Sequence, residues 1–216
     1  RITYQSTATN LVSSDANGTV TDVFMRDLDT GQTTLISTNA AGAQSDKATD
    51  SPSISADGRW VSFDTKATNF NPADAGGDID VYVKDLQTGA IDQASVQSGG
   101  AQATGTNGST SVGADSTISS DGRFVAFWSD ASSLVPGDTN GSSCATPPCT
   151  DVFVRDRVAN TTTRVTSTNG VQGDEDSYSP ALSNDGRFVA FDSKANSLDP
   201  SAAPNSGEDV FVHVNY

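Results

Sequence analysis

The sequence predicts an all-β chain built of repeated four-stranded antiparallel units, and three observations support this prediction. A Ser-x-Asp-Gly-Arg-aromatic-Val motif occurs three times, and its Asp-Gly pairs begin at Asp57, Asp121 and Asp185, a spacing of 64 residues both times. A second motif, Asp-Val followed by Phe or Tyr and an apolar residue, occurs before, between and after these copies. Apolar content is low, at 34%, and the chain holds 19 glycines, which is typical of many short strands joined by turns.

Each repeat is predicted to contain four strands, named A to D in chain order. Strand A, at 52–55, 117–119 and 180–183, leads into the Asp-Gly pair, which predicts a tight hairpin because Gly takes positive φ without steric cost. Strand B follows and is a continuous apolar run, which predicts that both of its faces are covered. The B strands are predicted at 2–5, 60–63, 124–128 and 188–191.

Strand C begins with an aspartate in every repeat, and strand D is the most polar of the four, as expected of an outer edge. The C strands start at Asp22, Asp80, Asp151 and Asp209, and the D strands are predicted at 33–37, 91–96 and 162–166. Four antiparallel strands covered on both faces form the blade of a β-propeller. The predicted fold is therefore one all-β propeller segment over 1–216, with repeats at about 1–38, 51–96, 116–167 and 179–216.

The two motifs together resemble the repeat of the TolB-type propeller family, whose blades carry a similar Ser-Pro-Asp-Gly turn. The resemblance covers nearly the whole chain and departs at Ala56, Ser120 and Asn184, which stand in place of the family's proline. It implies the propeller fold. It implies no particular function, because propellers host many functions.

The first and last repeats are predicted to be incomplete, because the chain opens in strand B and closes after strand C. The first blade would lack its inner strand and the last its outer strand, so we expect flanking sequence, a partner chain or an irregular closure. The last strand, at 209–214, is apolar and has no proline, which predicts self-association through an open blade edge. The alternative is a four-bladed ring whose ends pair with each other.

The chain is acidic, with a formal net charge of −15 and a pI of about 4.1. This charge disfavours nucleic acid as a partner and suits divalent cations or basic partners, although solubility alone could explain it. No apolar run reaches the length of about 20 residues that a membrane span needs. Sixteen of the 27 acidic residues are predicted on the face of the B–C and D–A loops, with only Lys47, Lys66 and Lys194.

The B–C loops hold acidic and amide side chains at short spacing, which predicts calcium binding. Ca²⁺ binds six to eight hard oxygens, and these loops offer carboxylate, amide and carbonyl oxygens around glycine-permitted turns. The alternative is that Asp, Asn and Gly simply form the turns. The candidate metal ligands are Asp15, Asn17 and Asp22, then Asp74, Asp78 and Asp80, then Asp138, Asn140 and Asp151.

The two cysteines, Cys144 and Cys149, are predicted to form a local disulfide. Two thiolates are too few for a structural zinc site, which needs four ligands. A disulfide predicts an oxidising compartment, so the protein is expected to be secreted, periplasmic or at the cell surface.

The arginine that opens strand B and the aspartate that ends strand C should lie side by side, because B and C are antiparallel neighbours. A structural ion pair is the predicted role. The predicted pairs are Arg1 with Asp27, Arg59 with Asp85, and Arg123 with Asp156.

No catalytic set can be assigned, because His213 is the only imidazole and no nucleophile can be paired with it. We therefore predict a non-enzymatic binding or scaffold module, whose partner is a protein, a second copy of the chain, or a glycan. The alternative is a carbohydrate-active enzyme that uses two acids and a groove of aromatic side chains. The candidate aromatics are Trp60, Trp128 and Tyr178, of which the two tryptophans are more readily explained as blade core.

Overall fold

The fold was analysed in a computed structural model that describes residues 1–74, 77–103, 114–139, 149–199, 201 and 207–215. The described chain is all-β apart from one 3₁₀ turn, Asn196–Leu198. Its strands form antiparallel sheets in which sequence neighbours are also spatial neighbours. No described helix has the length and apolarity that crossing a membrane requires.

The strands form four main sheets and one short hairpin. Sheet one contains β1 (Ile2–Ser6), β2 (Asp22–Arg26) and β3 (Thr33–Leu35). Sheet two contains β4 (Thr49–Ile54), β5 (Trp60–Thr65), β6 (Asp80–Asp85) and β7 (Ile91–Gln93). Sheet three contains β8 (Ala114–Ile118), β9 (Phe124–Ser129), β10 (Asp151–Asp156) and β11 (Thr161–Arg164). The hairpin of β12 (Ser167–Thr168) and β13 (Val171–Gln172) precedes sheet four, which contains β14 (Ser177–Leu182), β15 (Phe188–Ser193) and β16 (Asp209–Val214).

This architecture confirms the predicted propeller blades, with strand D at the outer edge of sheets one to three. The hairpin β12–β13 was not predicted. Its counterparts in the earlier repeats are single bridges, Thr38 with Gln44 and Val96 with Gln102, so the D–A connection pairs with itself in each repeat.

Strand A starts three residues earlier than predicted, because a β-bulge interrupts its pairing with strand B. The register shifts in β4, β8 and β14, and at each shift a residue other than glycine takes a left-handed backbone conformation. These residues are Ser51 (φ 50°), Asp115 (φ 45°) and Ser179 (φ 53°). A residue other than glycine keeps a positive φ only where neighbouring contacts fix its backbone. The bulge is therefore a specific feature of the inner strands, because it recurs at the same place in three blades.

The core lies between neighbouring sheets. Val23 of sheet one shares a buried cluster with Phe63 and Tyr82 of sheet two. A second cluster joins Val81 and Val83 of sheet two to β9 and β10, and a third joins β9 and β10 to β15. Both faces of strands B and C are therefore covered in sheets two and three, as their continuous apolar runs predict, whereas β1 and β16 keep exposed side chains.

The predicted arginine–aspartate pairs are confirmed. The shortest nitrogen–oxygen distances are 3.1 Å for Arg1–Asp27, 2.8 Å for Arg59–Asp85 and 2.6 Å for Arg123–Asp156. The last repeat has Val214 where the aspartate would be. The backbone N–H of Asn215 still donates to the Arg187 carbonyl over 2.7 Å, as Leu86 does to Arg59 and Arg157 does to Arg123, so this blade keeps the backbone contact without the ion pair.

Strands β1 and β16 each pair with one neighbour, so sheets one and four have three strands among the described residues. Val210 and Val212 of β16 are 72% and 63% exposed. The two strands belong to separate sheets. Self-association through these edges stays a prediction.

Candidate functional site

The acidic residue that opens strand C is buried in three repeats and is held by protein donors. Asp22 accepts hydrogen bonds from the Ser37 hydroxyl over 2.6 Å and from the Gln44 side-chain amide over 2.8 Å. The same amide donates to Asp15 over 3.2 Å, and the Asn17 amide donates to Asp22 over 3.4 Å. The first three predicted metal ligands, Asp15, Asn17 and Asp22, therefore lie together, and the Gln44 side chain joins the two carboxylates.

The third triplet repeats this arrangement. The Gln172 amide donates to Asp138 over 2.8 Å and to Asp151 over 3.0 Å, and the Thr166 hydroxyl also donates to Asp151. Arg164 forms an ion pair with Asp138 at 3.6 Å. Asn140, the remaining member of this triplet, lies outside the described residues.

The second triplet uses a different glutamine. Asp80 accepts from the Ser95 hydroxyl and the Gln93 amide, each over 2.6 Å, and the Tyr82 hydroxyl donates to Asp74 over 3.1 Å. Asp78 is half-buried. Burial, with the negative charge of Asp74 adding to it, raises the pKa of Asp80 to about 7.

The structure thus places six of the seven predicted loop acids in hydrogen-bonded clusters, namely Asp15, Asp22, Asp74, Asp80, Asp138 and Asp151. In the described part of the chain, no group of three or more His, Cys, Asp or Glu side chains is arranged to hold a metal ion. Calcium binding by these loops stays a prediction. The disulfide does too, because Cys149 is buried but Cys144 lies outside the described residues.

The pKa values of two sets of carboxyl groups are shifted in opposite directions by the fold. Burial raises the pKa of Asp80 to about 7 and of Asp151 to about 6, so their stabilising contribution is complete below about pH 4 and is lost as the pH rises through those values. Hydrogen bonds from the Thr30 amide, and then from Arg1, lower the pKa of Asp27 to about 2. Its contribution is present above about pH 4 and is lost as the pH falls towards 2.

We therefore expect the melting temperature to be highest at about pH 4–5 and lower at pH 8, measured by calorimetry in buffer with chelator. Asp151→Asn should reduce the difference between pH 5 and pH 8, because the amide stays neutral throughout. A melting temperature that rises from pH 5 to pH 8 would contradict this expectation.

A cavity of about 460 Å³ opens beside the inner strands of sheets two and three, and the sequence did not single it out. Its polar lining includes Asp50, Asp64 and Asp115, and Lys47 and Lys66 also line it. Ala48, Ile79 and Trp128 contribute apolar surface. We call this cavity the inter-blade pocket.

Asp64 is the most buried acid in the inter-blade pocket, with 5% of the residue exposed. One of its oxygens, Oδ2, accepts the backbone N–H of Asp115 over 2.5 Å. The other, Oδ1, is buried and accepts no hydrogen bond of ordinary geometry from a described residue, but the Ser116 and Ser51 hydroxyls interact with the carboxyl and lower its pKa. Burial, then the charge of Asp115, raises the pKa of Asp64 well above its usual range.

Two further carboxylates surround this group. Asp50 lies directly opposite Asp64 in the register of β4 and β5. Asp115 accepts the Ser51 hydroxyl over 3.0 Å and the Trp128 indole N–H over 3.3 Å, so the two bulge residues contact each other. The pocket therefore combines three acids from two neighbouring blades.

The hydrogen bond that Asp64 accepts from the Asp115 backbone N–H does not require a charged side chain. In the preceding blade, the side-chain oxygen of Gln5 accepts the backbone N–H of Ser51 over 2.7 Å, which is the same contact one repeat earlier. The register between strands B and C places Gln5, Asp64, Trp128 and Asp192 at one position, opposite Val23, Val81, Val152 and Val210. The sequence feature that could have indicated the inter-blade pocket is Asp64, an aspartate within the otherwise largely apolar strand β5.

The candidate aromatic residues have different positions. Trp60 is half-buried against the core between sheets two and three, with the guanidinium groups of Arg59 and Arg157 at 4.6 and 4.2 Å from its ring. Tyr178 lies 5.2 Å from the Lys194 ammonium. Only Trp128 of the three lines the inter-blade pocket.

His213 is half-buried in β16 opposite Val189, and burial lowers its pKa.

Comparison with solved structures supports the fold. TolB from Acinetobacter baumannii is 18% identical, with a TM-score of 0.51 over 94% of this chain and 39% of that one. A putative TolB from Agrobacterium tumefaciens is 15% identical, with a TM-score of 0.51 over 91% of this chain and 53% of that one.

This chain has a TolB-like β-propeller fold. The β-propeller domain of the Trilobed protease from Pyrococcus furiosus is also similar, at 11% identity and a TM-score of 0.50 over 91% of this chain and 47% of that one. The chain thus spans roughly two fifths to one half of these structures. No family model matches it, and no curated protein matches it. At these identities the TolB-like likeness concerns the fold alone.

Proposed function

We propose that this TolB-like propeller segment is a non-enzymatic binding module whose ligand occupies the inter-blade pocket. One observation carries the proposal, namely a cavity between two blades whose lining includes the acids Asp50, Asp64 and Asp115 beside the Trp128 ring. Carboxylate oxygens accept hydrogen bonds, so this lining suits a ligand that carries hydrogen-bond donors and some apolar surface.

The other buried acids strengthen this argument by contrast. Asp22, Asp80 and Asp151 each accept hydrogen bonds from a hydroxyl and a glutamine amide. The fold therefore has a repeated way of satisfying a buried aspartate, and Asp64 is held differently, by the backbone N–H of Asp115 from the next blade.

A small-molecule library tested by ligand-observed NMR, with Asp64→Asn as the comparison, examines this function. We expect binding that Asp64→Asn weakens, with every bound compound recovered unchanged. Consumption of a bound compound by the wild type would instead show an enzyme. A library without any pocket binder would contradict the proposal.

The second candidate function is a carbohydrate-active enzyme. The cross-strand pair of Asp50 and Asp64 beside Trp128 favours it, because glycosidases use two carboxyl groups near the scissile bond. Release of sugar from aryl glycosides or polysaccharides, abolished by Asp50→Asn, would establish this function.

The proposal includes calcium as a stabilising ion of the acidic loops. A bound cation would relieve the repulsion between Asp15 and Asp22, and between Asp138 and Asp151, if the glutamine amides moved aside. At 100-fold excess over the dissociation constant, linkage would stabilise the fold by about 3 kcal/mol. We expect a higher melting temperature in millimolar Ca²⁺ than in chelator, and an unchanged value would contradict calcium binding.

The module is proposed to act in an oxidising compartment, outside the cytoplasm, because a Cys144–Cys149 disulfide would need one. A protein partner or a second copy would add a strand at β16, where Val210 and Val212 are exposed. Light scattering tests the second copy. A monomer in which the amides of β16 are protected from exchange would exclude that form of assembly.

A further inference from the structure

We propose that Asn169 is a site of spontaneous covalent modification, at which the side-chain amide is lost and the main chain is rerouted as isoaspartate. The chain has four Asn-Gly pairs, and two of them, Asn17-Gly18 and Asn169-Gly170, lie among the described residues. An Asn-Gly pair favours this reaction because glycine has no side chain to hinder its nitrogen. The proposal is independent of the inter-blade pocket.

The reaction joins the Gly170 backbone nitrogen to the side-chain carbonyl carbon, Cγ, of Asn169. The new N–Cγ bond closes a five-membered succinimide. The Cγ–Nδ2 bond breaks, and ammonia leaves with the proton that the Gly170 nitrogen has lost. Water then opens the ring, leaving its oxygen in a new carboxylate and returning a proton to that nitrogen. Opening at the N–Cγ bond gives aspartate, whereas opening at the original peptide bond gives isoaspartate, whose main chain runs through Cβ and Cγ.

Both reacting groups are accessible at the tip of the hairpin β12–β13. Asn169 and Gly170 are exposed, and their φ values of 50° and 81° are those of a two-residue hairpin turn with both central residues left-handed. Within the described chain, the Asn169 side chain makes no hydrogen bond and the Gly170 N–H donates to no acceptor. Neither the amide that leaves nor the nitrogen that attacks is therefore held by a neighbour.

Ring closure requires rotation of the backbone at Asn169, and the hairpin resists that rotation weakly. The pairing of β12 with β13 comprises only two residue pairs, Ser167 with Gln172 and Thr168 with Val171. A ladder of this length at the surface opens at a small part of the free energy that global unfolding requires. Opening also releases Asn169 from the left-handed region, which residues other than glycine seldom occupy.

Asn17 provides a comparison within the same molecule, because its amide is held. Its Nδ2 donates to the Ser45 carbonyl over 3.2 Å and to the Asp22 carboxylate over 3.4 Å. Its Oδ1 is buried. Loss of the amide as ammonia would break both hydrogen bonds and expose a packed side chain. Folding should therefore protect Asn17 much more strongly than Asn169.

Isoaspartate at position 169 would disturb more than the turn, because Gln172 lies only two residues beyond Gly170. The additional main-chain atom does not fit a two-residue hairpin turn, so the register of β13 is lost. In the unmodified protein the Gln172 amide donates to Asp138 over 2.8 Å and to Asp151 over 3.0 Å. Displacement of that amide removes the donor that the two carboxylates share, which destabilises the folded state.

Peptide mapping by mass spectrometry, after incubation at pH 8 in H₂¹⁸O, tests the site because the new carboxylate takes its oxygen from water. In the folded protein we expect Asn169 to be modified at least fivefold faster than Asn17. In the urea-unfolded chain the two rates should agree within twofold, since each Asn-Gly pair precedes a β-branched residue, Thr19 or Val171. Asn169→Gly keeps a residue that accepts positive φ and should abolish the product at this position.

Asn169→Asp separates the added charge from the rerouted main chain. The deamidated fraction of the wild type, isolated by anion exchange, should melt several degrees below freshly prepared Asn169→Asp. Equal rates at Asn169 and Asn17 in the folded protein, or no product at Asn169, would overturn the proposed site. Equal melting temperatures, in a fraction that peptide mapping shows to contain isoaspartate, would overturn its effect on the Gln172 contacts.

Discussion

Gly122→Ala is expected to lower the free energy of unfolding by about 2–5 kcal/mol. Gly122 has φ of 72°, and an alanine in this left-handed region costs roughly 1–2 kcal/mol. An ideal Cβ at this position would also lie 2.2 Å from Cδ1 of the Trp60 ring. Arg59 and Arg157 both pack on that ring, so it cannot move aside freely, and overpacking adds about 1–3 kcal/mol.

The preceding repeat provides the control. Gly58 has φ of 68°, but a Cβ there would meet only the Arg1 side chain, at 3.1 Å, which is flexible and partly exposed. Gly58→Ala should therefore lose about 1–2 kcal/mol, which is the backbone contribution alone. Urea unfolding followed by circular dichroism compares the two variants. Equal losses would show that the contact with Trp60 contributes nothing.

The repeat made the blades predictable because local chemistry specifies them. In the turn, the Asp57 carboxylate accepts the Ser55 hydroxyl over 2.5 Å and the Arg59 amide over 2.9 Å, while Gly58 supplies the positive φ. The arginine–aspartate pairs were predictable for a related reason. They follow from antiparallel neighbours of known order, which fixes the side chains that lie opposite each other.

The inter-blade pocket was not predictable from spacing within a repeat, because it forms between repeats. Asp64 and Asp115 belong to successive blades, and Asp115 reaches Asp64 only because a bulge turns its backbone N–H towards it. Serine carries no signal for positive φ, and aspartate, although enriched there, takes positive φ at only a small share of its positions, so residue type alone does not predict the bulges at Ser51 and Asp115.

The loop acids were identified as a set, but their partners were not. Gln44 and Gln172 lie in the D–A connections, far along the chain from Asp15 and Asp138, whose carboxylates they contact. A glutamine in a polar loop gives no sequence signal of this role. The side chains that satisfy these acids could therefore be found only once the connection was seen to fold back over the blade.

Lys84→Met is expected to lower the free energy of unfolding by about 2–4 kcal/mol, because it removes a buried cation that joins two blades. The Lys84 ammonium donates to the Thr38 carbonyl over 2.7 Å, to the Thr38 hydroxyl over 3.1 Å and to the Asn39 carbonyl over 3.0 Å. Methionine keeps the apolar stem but donates to none of these atoms. Hydrogen bonds from a charged group contribute about 1.5–3 kcal/mol each. Burial offsets part of that gain, because it disfavours the charged form and lowers the pKa of Lys84.

The same position in the neighbouring repeats supplies a control and a conservative variant. Arg26 is the aligned residue in β2, but it is exposed and its guanidinium donates to Thr33 of its own sheet, so Arg26→Met should cost less than about 0.5 kcal/mol. Arg155 is the aligned residue in β10 and donates to the Gln97 carbonyl of the preceding blade over 3.2 Å. Lys84→Arg should therefore retain most of the stability that Lys84→Met loses. If urea unfolding gave equal losses for Lys84→Met and Arg26→Met, the contact between blades would not be the source of the stability.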